Sequence, residues 1–253
     1  MFRKFKNLKS YISYKSYSSI RMRKKIVALT GAGVSAESGI ATFRASDGLW
    51  EGHKVEEVAS PQGWEANPQK VLNFYNERRK GVLEAKPNEA HKILAQLERN
   101  FDVTIITQNV DDLHERAGST HVLHLHGELM KARSSVDESY VVTMNGWELN
   151  MGEKCPKGSQ MRPYIVWFGE PVPMMEQAVM EAMGADIFVV VGTSLLVYPA
   201  AGLIDYAPRQ SPKYIIDPKV PVVRSFPNLT FIEEVATTGM KKLEAILMRD
   251  YTH

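Results

Sequence analysis

Short apolar runs recur along the chain, with helical patterns between them. Their near-continuous apolarity and β-branched content predict strands buried on both faces, as in a parallel sheet. The predicted strands are Lys25–Thr30, Val103–Thr107, His121–His126, Tyr164–Phe168, Ile187–Val191 and Tyr214–Ile216. Helical periodicity is clear in residues 71–83, with Asn67 as N-cap and Pro68 at the first helical position, and in residues 88–99. The alternation predicts an α/β fold with a Rossmann-like, doubly wound parallel sheet.

Two stretches interrupt this alternation, residues 47–84 and 130–161. We predict that they are two insertions forming a smaller second lobe. The large lobe then comprises residues 23–46, 85–129 and 162–253, and the cleft between the lobes is the expected site. Residues 1–22 form a basic, serine-rich tail. We interpret it as disordered or as a mis-assigned start before Met22; a transit peptide is the alternative.

Composition narrows the class of protein. Of 253 residues, 44% are hydrophobic and 24% charged, as in an ordinary globular domain. Nine of the 31 Lys and Arg lie in residues 1–25, which leaves 22 against 29 acidic residues. This acidic body disfavours nucleic-acid binding. No membrane span is predicted, because the most apolar stretch, residues 187–204, contains two glycines, a proline and a polar turn.

A glycine-rich turn follows the first predicted strand, in Thr30-Gly-Ala-Gly-Val-Ser-Ala36. It fits the dinucleotide-binding pattern: Gly31 makes the turn, Gly33 admits a pyrophosphate, and Ala36 packs the helix on the strand. Such turns also arise for steric reasons alone. The acid usually found about 20 residues further on is missing.

Two further segments lie at predicted strand ends, where open α/β sheets bind ligands. Gly192-Thr-Ser194 is either part of the site or an ordinary polar turn. Asp217 would accept hydrogen bonds from ribose hydroxyls, or it forms a simple Asp-Pro turn.

His124 and His126 occupy alternate positions on one face of a predicted strand, and His121 lies three residues before His124. They could form a metal cluster, although no ligand from a second strand is evident. A structural role is favoured for His124. His126, followed by Gly127, is a candidate general base near neutral pH.

Five motifs together resemble the sirtuin family, in the family's order and over about residues 25–240. They are Gly31-Ala-Gly-Val-Ser-Ala-Glu-Ser-Gly-Ile-Ala-Thr-Phe-Arg44, Thr107-Gln-Asn-Val-Asp-Asp-Leu-His114, His126-Gly-Glu128, Val166-Trp-Phe-Gly-Glu170 and Gly192-Thr-Ser-Leu-Leu-Val-Tyr-Pro-Ala200. The resemblance implies an NAD-dependent protein-lysine deacylase yielding nicotinamide, free lysine and acyl-ADP-ribose, with acyl-lysine proteins or peptides as partners.

The resemblance also implies residue roles. His126 and Asn109 are the expected catalytic residues, with His126 deprotonating a ribose hydroxyl. The implied cofactor-binding residues are Gly31, Ala32, Gly33, Ala36, Phe43, Arg44, Gln108, Asn109, Asp111, Gly192, Thr193, Ser194 and Asp217. Val166, Trp167 and Phe168 would line an acyl-lysine tunnel. Gly169-Glu170 and Leu195–Tyr198 would flank the peptide as edge strands.

A finer match concerns the acyl group. Ala59, Tyr75 and Arg78 reproduce the spacing of class III sirtuins, which remove succinyl and malonyl groups. Tyr75 and Arg78 would share a helix face and bind a terminal carboxylate. The alternative is that Arg78 is one more solvated surface charge.

The chain departs from the family in its zinc-binding residues. Serines, Ser134 and Ser135, lie where the first cysteine pair would begin, and Cys155-Pro-Lys-Gly158 resembles a remnant of the second. One thiolate cannot form a tetrahedral site. We therefore expect no zinc, and expect the segment to be held by packing of Tyr140, Val142, Trp147, Leu149 and Met151.

Other functions also fit the sequence. The same cleft would suit protein ADP-ribosylation or NAD hydrolysis, or a non-catalytic NAD or ADP-ribose sensor. Retention of His126 argues against a sensor, because binding needs no general base. The lone cysteine and the lack of a secretory signal favour a bacterial cytoplasmic location, with mitochondria as the alternative if the tail is a transit peptide.

Overall fold

The computed structural model describes residues 23–42, 49–219 and 221–252, so the tail at residues 1–22 lies outside the described residues. The strands are β1 (Lys25–Thr30), β2 (Leu49–Trp50), β3 (His53–Lys54), β4 (Asp102–Thr107), β5 (Val122–His124), β6 (Gly127–Ser134), β7 (Val141–Thr143), β8 (Met161–Ile165), β9 (Ile187–Val191), β10 (Lys213–Ile216) and β11 (Leu229–Ile232). The helices are α1 (Gly33–Ala36), α2 (Val55–Val58), α3 (Pro61–Ala66), α4 (Pro68–Glu84), α5 (Glu89–Leu97), α6 (Leu113–Arg116), α7 (Met175–Met183) and α8 (Ala236–Tyr251), with a 3-10 helix at Ala200–Asp205.

Six strands form a parallel sheet in the order β11-β10-β9-β1-β4-β5. This is the doubly wound order. The chain adds strands outward on one side of β1 and then, starting with β9, on the other side, so the topological switch point lies between β1 and β9. The predicted fold class is therefore confirmed. The sequence reasoning missed β11, because two of its four side chains, Thr230 and Phe231, are exposed and the apolar signal is weak.

Two strand predictions were wrong in part. Of the run predicted as Tyr164–Phe168, only the first two residues lie in a strand, at the end of β8, and residues 166–168 follow it without strand structure. Strand β8 pairs antiparallel with β6 in a separate three-stranded sheet with β7. A short apolar run does not reveal which sheet it joins. The strand predicted as His121–His126 is shorter, because Gly127 follows with a φ of +83°, which turns the chain into β6.

The helix starts follow from side-chain caps. Asn67 Oδ1 accepts a hydrogen bond from Lys70 N at 2.9 Å, and α4 begins at Pro68, as predicted. Asn88 caps α5 by accepting from Ala90 N at 2.9 Å. Both caps satisfy backbone N–H groups that have no partner inside the helix.

The buried core lies on both faces of the parallel sheet. One face packs against α5 and α8, and the other against α7 and the 3-10 helix. A third cluster joins the two predicted insertions, because Leu72 of α4 packs with Leu149 and Met161. A fourth packs Tyr75 of the first insertion against Leu129 and Trp167, which the sequence reasoning assigned to the large lobe. The division into two lobes stays a prediction. Within the described ranges, no helix is both long and apolar enough to span a membrane.

Candidate active site

The turns after β1 and β9 are packed backbone to backbone at the switch point of the sheet. Gly31 N donates to Val191 O at 3.0 Å, and Gly33 N donates to Gly192 O at 2.8 Å. A Cβ on Gly33 would lie 2.7 Å from Gly192 Cα, and Gly192 itself has a φ of +62°. The glycines thus permit this close contact. The Gly33 N–H group donates its hydrogen bond to the protein backbone, so it does not point at a phosphate. Helix α1 has only four residues, so its dipole adds little attraction for an anion.

The packing role expected of Ala36 was wrong. Ala36 is exposed, whereas Val34 and Ser35 of the same helix are fully buried. The single turn of α1 therefore packs on the sheet through positions one and two residues earlier than the pattern suggested. Ala32, also predicted to bind cofactor, is half-buried.

The residues after β4 connect three strand ends. Gln108 N donates to Thr30 O at 2.9 Å, and Gln108 Nε2 donates to Thr193 Oγ1 at 3.1 Å. Thr193 is buried, and Ser194 beside it is exposed. The structure thus brings together the predicted residues at the ends of β1, β4 and β9.

A buried polar network centres on Ser35. Its hydroxyl donates to Asp111 Oδ2 at 3.0 Å, accepts from Asn109 Nδ2 at 3.0 Å, and lies 3.3 Å from His91 Nε2. Burial raises the pKa of Asp111 and lowers that of His91 to about 4. The sequence reasoning assigned no role to Ser35 or His91. The only available signals were the place of Ser35 inside the glycine motif and a histidine in the apolar stripe of α5.

His126 lies between the end of β4 and β8. Its Nδ1 is 3.0 Å from Gln108 O, and Val166 N donates to His126 O at 2.9 Å. A carbonyl only accepts, so Nδ1 carries the hydrogen and Nε2 keeps a lone pair when the ring is neutral. Burial lowers the pKa of His126 and outweighs the opposing hydrogen bond to Gln108, so the neutral ring prevails at neutral pH.

The metal interpretation of the three histidines finds no support in geometry. Among the residues that the structure describes, no group of three or more His, Cys, Asp or Glu side chains could hold a metal ion. His121 lies 3.5 Å from Thr104 Oγ1, and His124 contacts Glu115 and the Asn109 carbonyl.

The candidate acyl-binding residues meet around Trp167. Phe168 N donates to Ala59 O at 3.0 Å, and Trp167 Nε1 donates to the Tyr75 hydroxyl at 3.1 Å. Tyr75, Ala59 and Trp167 are buried, Val166 is half-buried, and Phe168 is 48% exposed. Burial raises the pKa of Tyr75, so its hydroxyl stays neutral and keeps a hydrogen to donate.

Arg78 is not a solvated surface charge. Its side chain is 9% exposed, its guanidinium lies over the Phe74 ring, and Nη2 is 2.7 Å from Glu51 Oε2. Burial lowers the pKa of Arg78 to about 10, which still leaves it protonated at neutral pH. In the described part of the chain, its buried Nε has no hydrogen-bond partner.

The predicted edge strands are absent from this part of the described chain. Glu170 N donates to Trp167 O at 3.0 Å, so Gly169-Glu170 form a turn. The Glu170 carboxylate binds Arg162 at 2.8 Å and Trp167 N at 2.8 Å. Residues 195–198 are likewise irregular, with Leu196 and Tyr198 exposed. Glu170 therefore supports the Trp167 turn through its side chain.

The remaining cofactor candidates have separate outcomes. Asp217 lies just past β10, and its Oδ1 accepts a hydrogen bond from Lys219 N at 2.9 Å. This oxygen therefore takes part in the Asp-Pro turn that was the alternative to ribose binding. Burial raises the pKa of Asp217. Phe43 and Arg44 lie outside the described residues.

The residues around Cys155 do not suit zinc. Cys155 Sγ lies 3.3 Å from Ser134 Oγ and 3.1 Å from Ser159 Oγ, and these two hydroxyls are 2.9 Å apart. Asp137 is ion-paired with Lys157 at 2.7 Å. Two hydroxyls and one thiol hydrogen-bonded to one another are a poor donor set for Zn²⁺, so a zinc-free protein stays our prediction.

The residues expected to pack this segment were wrong in part. Tyr140, Val142 and Met151 are exposed by 36%, 36% and 47%, whereas Leu149 is buried. The buried cluster here instead joins Leu149 to Leu72, Ala132, Cys155 and Met161.

Comparison with known proteins gives consistent matches. The model of the Sir2 family matches residues 31–199. An NAD-dependent protein deacylase from Bacteroides thetaiotaomicron is 52% identical over 230 residues, covering 89% of this chain and 98% of that protein. A solved Sir2 homolog–NAD complex is 40% identical, with a TM-score of 0.81 and 90% of each chain covered. Sir2Tm bound to a propionylated peptide is 29% identical, with a TM-score of 0.72, covering 90% of this chain and 93% of that one.

Proposed function

This chain belongs to the Sir2 family and is an NAD-dependent protein deacylase, and we propose that it removes succinyl and malonyl as well as acetyl groups from protein lysines. The observation that carries the reaction is His126, whose Nδ1 donates to Gln108 O and whose Nε2 is left as the basic nitrogen. Its lowered pKa favours the neutral, proton-accepting ring.

The strand ends supply the proposed cofactor site. Bound NAD supplies an ADP-ribose group that accepts the acyl oxygen once nicotinamide leaves. The glycine turns at Gly31 and Gly192 pack closely against each other at these strand ends. Gln108 and Asn109 are held by Thr193 and Ser35, and Asp217 follows β10, which lies two strands from β1. Asp111 fixes Ser35 and, through it, the Asn109 amide.

The acyl-lysine is proposed to enter beside Trp167. An acylated lysine is neutral, so apolar walls at Val166 and Phe168 accept it without the desolvation cost of a charged amine. Exposed Phe168, Leu196 and Tyr198 offer apolar contacts for a peptide. Protonated Arg78 and the neutral Tyr75 hydroxyl are the proposed partners of a terminal carboxylate on the acyl group. Relatives from bacteria favour a bacterial cytoplasmic location.

The test compares acyl groups on one peptide. The protein is incubated with NAD and matched acetyl, succinyl and malonyl peptides, and nicotinamide and free lysine are followed by mass spectrometry. We expect turnover of all three, its loss in His126→Ala, and a fall of about tenfold or more for the acidic acyl groups alone in Arg78→Met.

Lys80→Met is the matched control, since Lys80 lies on the same helix and is partly exposed. Equal loss for every acyl group in Arg78→Met would show that Arg78 is structural. Nicotinamide release without lysine deacylation would instead indicate NAD hydrolysis or ADP-ribose transfer.

A further inference from the structure

Two histidines hold successive carbonyl groups of the loop after β4. His126 Nδ1 is 3.0 Å from Gln108 O, and His124 Nδ1 is 3.1 Å from Asn109 O. The residues whose carbonyls are held carry the side chains that reach Thr193 and Ser35. His124 therefore contacts the backbone of a candidate catalytic residue.

The second nitrogen of His124 distinguishes it from His126. His124 Nε2 lies 2.7 Å from Glu115 Oε1, and the His124 side chain is only 8% exposed. Both of its partners, a carbonyl and a carboxylate, only accept hydrogen bonds. Both ring nitrogens must therefore carry hydrogen, and the ring is an imidazolium ion. Burial acts to lower the pKa of His124, but the hydrogen bond and charge of Glu115 outweigh it, so that the pKa is raised.

The charges around this imidazolium are mixed. Glu115 and His114 face it from α6, Glu128 faces it from β6, and Asp111 lies in the loop above. Lys131 is paired with Glu128 at 2.7 Å. Burial raises the pKa of Asp111, and the positive charge on His124 opposes that shift. The imidazolium thus favours the ionised Asp111 that accepts the Ser35 hydroxyl.

We propose that His124 is a positioning residue for the reaction: its imidazolium, anchored by Glu115, fixes the Asn109 carbonyl and favours an ionised Asp111, and so holds the Asn109 amide against Ser35. The assignment rests on the proposed deacylase function. It acts on the loop that would hold NAD, and leaves the acyl-peptide contacts at Val166 and Phe168 untouched.

The test uses His124→Gln, Glu115→Gln and a matched control, His121→Gln, whose side chain is exposed. Glutamine still donates one hydrogen bond but carries no charge. We expect His124→Gln to lower kcat/KM for NAD about tenfold, with KM for the acetyl peptide unchanged. His121→Gln should match the wild type. Thermal unfolding of each variant identifies any general loss of folding.

The pH profile separates positioning from structure. The neutral ring of His126 is needed, so activity falls at acid pH. The charged ring of His124 is lost as pH rises through its raised folded-state pKa, so activity also falls at alkaline pH. Glu115→Gln should move only the alkaline limb to lower pH, and His124→Gln should remove it. Wild-type kinetics and an unchanged profile in His124→Gln would overturn the inference.

A readout without turnover keeps the two proposals apart. NMR titration of the histidines in the whole protein should show a pKa of His124 that is higher than that of an ordinary histidine. In Glu115→Gln this pKa should be lower than in the wild type. NAD affinity measured by calorimetry should fall in His124→Gln. An inactive wild type that shows both effects refutes the deacylase function alone. An active wild type in which neither the titration nor the affinity changes refutes the positioning role alone.

Discussion

A single methyl group at Gly33 should force apart the turns after β1 and β9, which are proposed to bind the cofactor. The Cβ of Gly33→Ala would lie 2.7 Å from Gly192 Cα and 2.8 Å from Gly192 O, where ordinary contacts begin at 3.4 Å. Both neighbours are backbone atoms, so no side chain can rotate away. The turns must separate by about 0.7 Å, and over-packing of this kind costs about 1–3 kcal/mol of the free energy of unfolding.

The same displacement should weaken cofactor binding. Gly33 N donates to Gly192 O at 2.8 Å. Thr193, the residue after Gly192, accepts a hydrogen bond at its Oγ1 from Gln108 Nε2 at 3.1 Å. Separating the turns therefore misplaces Gln108 as well. We expect KM for NAD to rise, measured by nicotinamide release, together with a lower urea midpoint followed by tryptophan fluorescence.

Gly81→Ala provides the control for this prediction. Gly81 is exposed within α4, and no atom lies within 4 Å of its added Cβ. Alanine there should stabilise the protein by about 1 kcal/mol through helix propensity, without changing KM for NAD. If Gly33→Ala unfolds at the same urea concentration as Gly81→Ala, or loses stability while KM for NAD stays unchanged, the close contact between turns does not have the role assigned to it.

Three further outcomes are expected. Arg79 is fully buried and donates to Leu129 O and Asn76 Oδ1 at 2.7 and 2.6 Å. Arg79→Met leaves these two buried acceptors unsatisfied, at about 1–3 kcal/mol each, so it should cost about 2–6 kcal/mol of the free energy of unfolding in urea. A loss below about 1 kcal/mol would contradict this. His91 has a folded-state pKa of about 4, below its unfolded value, because it is buried. Its contribution to the free energy of unfolding is therefore complete above pH 6.5 and falls by about 2 kcal/mol between pH 7 and 5. Urea unfolding at these two pH values should show a smaller loss of stability on acidification in His91→Gln than in the wild type. Elemental analysis should find no stoichiometric zinc in the wild type, and zinc there would refute the prediction. The triple variant Ser134→Cys, Asp137→Cys and Gly158→Cys completes two Cys-x-x-Cys pairs with Cys155 and should bind about one zinc per chain.

Local patterns of apolar residues predicted the main sheet correctly. The errors came where such patterns carry no information on strand pairing or where a strand is partly exposed. Apolar runs located β1, β4, β9 and β10 to within one residue at each end, because strands buried on both faces leave an unbroken apolar signal. The same signal predicted a strand of the parallel sheet at residues 164–168, whereas residues 164 and 165 end β8 of the antiparallel sheet, since an apolar run does not identify its partner strand. Half-exposed β11 left no usable pattern.

Motif order in the sequence indicated the family and the strand ends that carry the candidate site, because glycine turns and polar residues directly after apolar strands are local features. Tertiary structure alone decided how those residues are used. It turned Glu170 inward onto Arg162, left Ala36 exposed, and joined Ser35 to His91 across 56 residues. It also gave two nearby histidines different surroundings, with a backbone carbonyl against Nδ1 of His126 and a carboxylate against Nε2 of His124. Burial and hydrogen-bond partners set these properties, and both depend on segments distant in sequence that meet only after folding.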